Sequence, residues 1–148
     1  MKDIFSNPWL LVALASGIIA QGLKVPIHYI RKKEWDISLF FSNGGFPSSH
    51  TATVLALITR VGRDFGFGSP FFAISAVFGT IVIFDATGVR QEVGRHSKTL
   101  NDILEMLKLR ETLNFEILEE LVGHTVLEVI AGFFLGIGLA FLSYMVFP

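Results

Sequence analysis

The stretch VLEVIAGFFLGIGLAFLSYMVF, residues 126–147, is the longest apolar segment of the sequence. A helix needs about 20 mostly apolar residues to cross a bilayer, and this stretch meets that length with one charged side chain, Glu128. Three further apolar stretches precede it, at residues 8–23, 51–61 and 70–86. The second of these is long enough only if residues 48–61 are helical throughout. The sequence therefore predicts an all-α integral membrane helical bundle with about four transmembrane helices.

The composition excludes several classes of protein. Hydrophobic residues make up 51% of the 148 residues, 15 residues are Phe, and the mean hydropathy is +0.58. A soluble domain of this size could not hide so much apolar surface. The net charge of −1 gives no general attraction to nucleic acid, and the lack of Cys excludes disulfides, thiolate metal sites and a cysteine nucleophile. The length fits a single domain, residues 1–148.

A polar segment, residues 87–125, separates the last two apolar stretches. Within it Leu100, Ile103, Leu104 and Leu107 follow helical spacing, with charged residues between them. We expect one or two amphipathic helices in this third loop, lying on the membrane surface or packing against the bundle.

The distribution of Lys and Arg predicts the orientation in the membrane. Loop one carries Arg31, Lys32 and Lys33, and loop three carries Arg90, Arg95, Lys98, Lys108 and Arg110. Cytoplasmic loops are enriched in such residues. We therefore expect loops one and three in the cytoplasm, both termini outside, and the plasma (inner) membrane as the location.

Polar residues near the apolar stretches gather on the side of loops one and three. Lys24 and Pro26 follow the first stretch, which we expect to end near Leu23. The later stretches carry further polar residues at their ends on this same side: Ser48, Ser49, His50, Asp85, Arg90, His124 and Glu128. An ionisable group costs about 2.5–3.5 kcal/mol at the membrane centre and less near its surface, so such a cluster indicates a functional site. The opposite side offers only Arg60, Arg63 and Asp64.

The segment GGFPSSHTATVLAL, residues 44–57, places three of these residues at a helix start. Pro47 suits a first helical turn, and Ser48 and Ser49 are typical capping residues. A helix N-terminus also presents unpaired N–H groups and the positive end of its dipole to an anion. The segment therefore fits both a capped helix start, in which His50 has no chemical role, and an anion site.

Two histidines and several cations favour phosphoryl transfer. His124 and Glu128 are four residues apart, which would place them on one helix face, one turn from each other. Glu128 could then hold one imidazole nitrogen of His124 and leave the other as a nucleophile, with His50 as an acid. The cations that could clamp a phosphate are Lys24, Arg31 and Arg90. The simpler alternatives are a loop-to-helix junction at His124, and a salt bridge from Asp85 to Arg90 or Lys24.

Three motifs of the chain resemble those of the superfamily of type-two phosphatidic acid phosphatases and vanadium haloperoxidases. The first is Lys24-x6-Arg31, without the proline that follows it in the family. The second is Pro47-Ser48-Ser49-His50, where the family has Pro-Ser-Gly-His. The third is His124-x3-Glu128 followed by VIAG, where the family often has Asp-Val-x-x-Gly; Leu118 replaces the usual arginine. The set is similar to a small, divergent branch of this superfamily.

The resemblance implies a role for each of these residues. His124 would attack phosphorus and form a phosphohistidine, Glu128 would orient it, and His50 would protonate the leaving oxygen and then activate water. The phosphate would be held by Lys24, Arg31, Arg90 and the backbone around Ser48 and Ser49. Arg90 or Arg95 would replace the missing motif arginine, with Asp85 in a supporting role. No metal and no other cofactor is implied.

The function implied is that of a metal-independent, acid-phosphatase-like enzyme of the membrane. It would hydrolyse a lipid phosphate or pyrophosphate, with the active site facing the cytoplasm and membrane lipids as partners. Two other functions stay open, a phosphate-binding or anion-transporting membrane protein without catalysis and a vanadate-dependent haloperoxidase. A chain this small could also form a homodimer to enclose its site.

Overall fold

The computed structural model describes residues 2–107, 117–118 and 123–147, and these form helices and connecting turns without a strand. The α-helices are α1 (Lys2–Phe5), α2 (Pro8–Lys32), α3 (Ser49–Phe65), α4 (Pro70–Phe84), α5 (Arg90–Met106) and α6 (Val126–Leu142). Short 3₁₀ segments cover Ile37–Phe41 and Ser143–Met145, and a π-helical turn covers Asp85–Val89. The predicted all-helical membrane architecture is confirmed.

Three helical stretches are long and apolar enough to cross a membrane: Pro8–Lys32, Pro70–Met106 and Val126–Met145. The second predicted stretch, residues 51–61, lies in α3, which is helical throughout but has only 17 residues. Its length of about 25 Å is slightly less than the hydrocarbon core of a bilayer. Because α3 packs against α2, α4 and α6, it is the central helix of the bundle.

Polar caps begin the main helices where the sequence predicts. The side chains of Asn7, Ser48 and Ser69 accept hydrogen bonds from backbone N–H groups in the first turns of α2, α3 and α4. Pro8 and Pro70 occupy first-turn positions, where a missing N–H has no cost. The starts predicted at these two prolines are confirmed.

The end predicted for the first helix near Leu23 is wrong. Helix α2 continues through Lys24 and Pro26 and ends at Lys32. The C-cap residue Lys33 has a left-handed backbone (φ 62°), and its N–H donates to the Tyr29 carbonyl oxygen. Proline is tolerated inside membrane helices because neighbouring groups can satisfy the freed carbonyl. As a result Lys24 lies within the helix and is buried.

The third apolar helix does not stop before the polar loop. Helix α4 passes through the π-helical turn directly into α5, so that one helical stretch runs from Pro70 to Met106. The predicted amphipathic segment is therefore helical over Arg90–Met106, as an extension of α4 and not as a separate helix. Of its remainder, residues 87–89 belong to the π-helical turn, Leu107, Ile117, Leu118 and residues 123–125 are also described, and the rest lies outside the described residues.

Small residues bring α3 and α6 into close contact. A Cβ on Gly136 would lie 2.5 Å from the carbonyl oxygen of Ala52, and one on Gly132 would collide with the Ser48 carbonyl oxygen. Ala52 and Ala56 on α3 are completely buried. The GxxxG pair of α6 therefore acts in helix packing within the chain.

At the end of the bundle remote from the histidines, Arg60 is held by four groups. It donates to Asp64 at 2.9 Å, to the Ser143 hydroxyl at 3.0 Å and to the Phe147 carbonyl oxygen at 2.6 Å, and its guanidinium lies 3.7 Å from the centroid of the Tyr144 ring. Only 3% of Arg60 is exposed. The sequence placed Arg60, Arg63 and Asp64 on this side without a role, and in the structure Arg60 anchors α3 to the C-terminal segment.

Candidate functional site

Two histidines and a glutamate form a hydrogen-bonded row at one end of the bundle. His50 Nδ1 lies 3.2 Å from His124 Nε2, and His124 Nδ1 lies 3.1 Å from Glu128 Oε2. His50 is partly buried at the start of α3, and His124 is 1% exposed. The row therefore links residues 74 positions apart in the sequence and ends on a partly accessible imidazole.

His124 is not on the helix that carries Glu128, contrary to the expectation of a shared helix face. Thr125 is the N-cap of α6, so His124 precedes the cap. Its backbone N–H donates to the Ala86 carbonyl oxygen at 2.9 Å, within the π-helical turn. This bond fixes the short segment before α6 and directs the imidazole into the bundle.

The side-chain length of Glu128 suits this arrangement. Glu128 is the third residue of α6, and its Oε2 accepts the Thr125 N–H at 3.0 Å in a capping box. The same oxygen reaches Nδ1 of His124. Because the histidine lies before the helix, the carboxylate must extend back beyond the cap. The glutamate found in place of the family's aspartate supplies that additional methylene.

Ser48 joins the start of α3, which carries His50, to the start of α6, which carries Glu128. Its N–H donates to the Glu128 carbonyl oxygen at 3.0 Å, and its hydroxyl accepts from the N–H and the hydroxyl of Thr51. Its N–H is therefore engaged and cannot bind an anion in this conformation. Ser49 and His50 are the first residues of α3, where backbone N–H groups have no partner within the helix.

Lys24 is buried near Glu128 and binds the loop between the 3₁₀ segment Ile37–Phe41 and α3. Its ammonium donates to the carbonyl oxygens of Ser42 and Gly44, at 3.0 and 2.6 Å. Its charge acts electrostatically on both Glu128 and His50. In this conformation Lys24 thus stabilises the loop and contributes positive potential at the histidines.

Arg90 stands at the junction of the π-helical turn and α5. Its Nε lies 2.6 Å from Oδ2 of Asp85, which is the first residue of that turn. Both side chains are more than one-third exposed, and both charges act on the His50 imidazole. Arg95 pairs instead with Glu92 on the exposed surface of α5. Of these two arginines, the structure brings Arg90 towards the histidines.

Two cavities adjoin the row. The larger, about 590 Å³, is lined by His50, Ser49 and Gln21 together with apolar residues of α2, α3 and α4. The smaller, about 240 Å³, is lined by residues that include Lys24, His28, Arg31 and Glu128. The guanidinium of Arg31 lies 4.9 Å from the Phe46 ring centroid at this second cavity. Of the predicted site residues, Ser49 and His50 thus line the first cavity, and Lys24, Arg31 and Glu128 line the second.

Gln21, a polar residue of the apolar helix α2, also lines the larger cavity. Its amide nitrogen donates to the carbonyl oxygens of Phe40 and Ser42, at 3.0 and 3.3 Å, which fixes the orientation of the amide. Its Oε1 is buried without a hydrogen-bond partner among the described residues. A polar residue within an apolar helix is the signal in the sequence, since such residues usually face the interior of a membrane bundle.

No three His, Asp or Glu side chains of residues 2–107, 117–118 and 123–147 are close enough together to hold a metal ion.

Comparison with known proteins supports the resemblance of the three motifs. The family described as "Divergent PAP2 family" matches residues 5–139, a range that includes all three motifs. The chain is 40% identical over 146 residues to "Uncharacterized membrane protein YuiD" of Bacillus subtilis (strain 168), covering 91% of this chain and 92% of that protein. No solved structure matches the chain. With nearly its whole length matched, this membrane protein belongs to the Divergent PAP2 family.

Proposed function

We propose that this protein is an integral membrane phosphatase that hydrolyses a lipid phosphate or pyrophosphate through a phosphohistidine. The observation that carries the proposal is the row of His50, His124 and Glu128, with His50 Nδ1 and His124 Nε2 3.2 Å apart. A nucleophile next to an acid–base group, with a carboxylate orienting the nucleophile, is the arrangement that covalent catalysis requires.

Glu128 would decide which nitrogen of His124 reacts. A carboxylate accepts a proton donor, so the contact at 3.1 Å favours the tautomer with hydrogen on Nδ1. The lone pair then lies on Nε2, towards His50. His50 Nδ1 would carry the hydrogen in that contact. Both tautomers follow from the pattern of hydrogen bonds, because only this assignment gives each contact one donor and one acceptor.

The reaction would open the contact between the two imidazoles. With phosphorus between them and His50 protonated on both ring nitrogens, His124 Nε2 forms a bond to phosphorus while the bond to the leaving oxygen breaks. His50 Nδ1 transfers its proton to that oxygen, which leaves His50 as a neutral imidazole. Water then attacks phosphorus, the P–N bond breaks, and His50 accepts a proton from the water. The products are inorganic phosphate and the lipid alcohol, or a lipid monophosphate if the substrate is a pyrophosphate.

The positive charges around the row would neutralise the phosphate. Arg90 binds Asp85 through Nε, and in the described part of the chain no partner engages its two terminal nitrogens. These nitrogens, the charge of Lys24 and the N–H groups of Ser49 and His50, which have no partner within α3, would stabilise the transition state. Asp85 would then position Arg90.

Phosphate release by the purified protein in detergent tests the proposal. We expect hydrolysis of hexadecyl phosphate and of 4-nitrophenyl phosphate, lost for both in His124→Ala, and an acid-labile phosphoenzyme during turnover. Binding of inorganic phosphate without release from either substrate would favour the anion-binding alternative. Halide oxidation after addition of vanadate would favour the haloperoxidase alternative.

A further inference from the structure

A groove lies between α2 and α4 and leads to His50. Its volume is about 590 Å³. Leu14 and Ile18 of α2 line one side, Phe78 and Val82 of α4 line the other, and α3 contributes residues between them. Because α3 packs against both neighbouring helices, it forms the floor of this groove.

The groove has one polar end and one apolar end. The polar end is formed by His50 and Ser49 of α3 with Gln21 of α2, and the 3₁₀ segment with Phe40 and Phe41 lies against it. On α2 the lining extends from Gln21 back to Leu14, a distance of about 10 Å along the helix axis. The apolar part therefore points away from the histidines and into the membrane.

The apolar part of the groove faces the surroundings of the bundle. The exposed fractions of Leu14, Ile18 and Phe78 are 52%, 62% and 55%, and all three belong to helical stretches long enough to span a membrane. In a bilayer these side chains would contact lipid chains. A lipid could thus enter the groove sideways without leaving the bilayer.

We propose that this groove binds the hydrocarbon chain of the substrate lipid next to its phosphate, an inference that rests on the proposed function. The charge pattern supports this occupant, because the charges of Lys24 and Arg90 act on His50 at the polar end and would attract a phosphate there. A chain seated along Leu14 and Phe78 would bring its terminal phosphate to the histidine row. The substrate class is a phosphate carried at the end of a hydrocarbon chain.

The groove would act by positioning and not by extraction from the membrane. A chain in the bilayer is already in an apolar environment, so its transfer into the groove yields little hydrophobic free energy. For short alkyl phosphates dissolved in water the transfer is favourable. Each buried methylene should then raise kcat/KM about fourfold, and the gain should level off once the chain is longer than the groove.

Leu14→Trp tests the groove with Leu10→Trp as its matched control. Leu10 lies one turn earlier on α2, is 37% exposed and does not line the groove. We expect Leu14→Trp to lower kcat/KM for hexadecyl phosphate at least tenfold while leaving 4-nitrophenyl phosphate unchanged. Leu10→Trp should change neither rate. Equal effects of the two substitutions on hexadecyl phosphate would overturn the inference.

A second measurement separates failure of the groove from failure of catalysis. An alkyl phosphonate with a photoreactive diazirine in its chain cannot be hydrolysed, and it should crosslink to Phe78 or Val82. Crosslinks at these residues would support the groove as a binding site for the hydrocarbon chain. If the wild-type protein nevertheless released no phosphate, only the proposed phosphatase function would be rejected. Crosslinks confined to residues outside the groove would overturn the inference, whatever the activity.

Discussion

Glu128 Oε2 lies 3.1 Å from Nδ1 of His124, although the histidine precedes the helix that carries the glutamate. The same oxygen accepts the N–H of Thr125, so the start of α6 and the imidazole share one carboxylate oxygen. The capping box common at helix starts joins Glu128 to Thr125, and here the same carboxylate also reaches the preceding residue, His124.

Glu128→Gln should separate the charge of this carboxylate from its capping role. The amide oxygen can still accept the Thr125 N–H, whereas the negative charge beside His124 is lost. We expect kcat to fall about 10²–10⁴-fold with an unchanged melting temperature. The exposed Glu92 provides the control, and Glu92→Gln should change neither property. Full activity of Glu128→Gln would contradict the orienting role.

His50→Ala should affect substrates according to their leaving group. A lipid alkoxide needs a proton as it leaves, and we expect its release to slow about 10²–10⁴-fold. An aryl phosphate leaves without a proton, so its phosphorylation step should change much less. Burst kinetics with 4-nitrophenyl phosphate can measure that step separately. Equal losses in phosphorylation by both substrates would mean that His50 is not the acid.

Gly132→Ala should destabilise the contact between α3 and α6. The added Cβ would collide with the Ser48 carbonyl oxygen, and overpacking of this kind costs about 1–3 kcal/mol. Gly138→Ala on the same helix is the control, because a Cβ there has no atom within 4 Å. Thermal unfolding in detergent should show a lower melting temperature for the first variant only. Equal melting temperatures would mean that the helices do not approach this closely.

Arg60→Leu should destabilise the far end of the bundle without changing the chemistry. Loss of the guanidinium removes one hydrogen bond from each of Asp64, Ser143 and the Phe147 carbonyl oxygen, and we expect a loss of at least about 2 kcal/mol. Arg63→Leu removes an exposed cation that lies over the Phe141 and Tyr144 rings, and should cost about 0.5–1 kcal/mol. Unfolding and phosphate release should be measured on both. A greater loss for Arg63→Leu would exclude the proposed anchor.

Cysteine labelling can test the orientation that the Lys and Arg distribution predicts. The chain has no native Cys, so a single cysteine in place of Lys33 gives an unambiguous signal. We expect Lys33→Cys to be protected from an impermeant reagent in intact cells and labelled after the membrane is opened. Labelling in intact cells would place this loop, and the candidate site with it, outside the cell.

The sequence alone determined the class of fold and indicated which residues form the candidate site. The apolar stretches exceed what a soluble domain can bury, and they require helices because a bilayer offers no water to the backbone. Helices α2 and α4 start at Pro8 and Pro70, where the sequence predicted the apolar stretches to begin, because helix starts depend on local interactions within one turn. The types and order of His50, His124 and Glu128 likewise suggested phosphoryl transfer before any geometry was known.

Only the tertiary structure decided where helices continue and which groups meet. Helix α2 passes through Pro26 and α4 passes into α5, since packing in a bundle can override local signals that favour termination. The contact of His50 with His124 depends on the close approach of α3 to α6, which Gly132 permits. The hydrogen-bond partners of Lys24 lie at least 18 residues further along the chain. Those of Arg60 lie at least 83 residues away, except for Asp64 in the next turn of the same helix. Contacts between such distant residues leave no periodic pattern in the sequence, so only the folded chain reveals them.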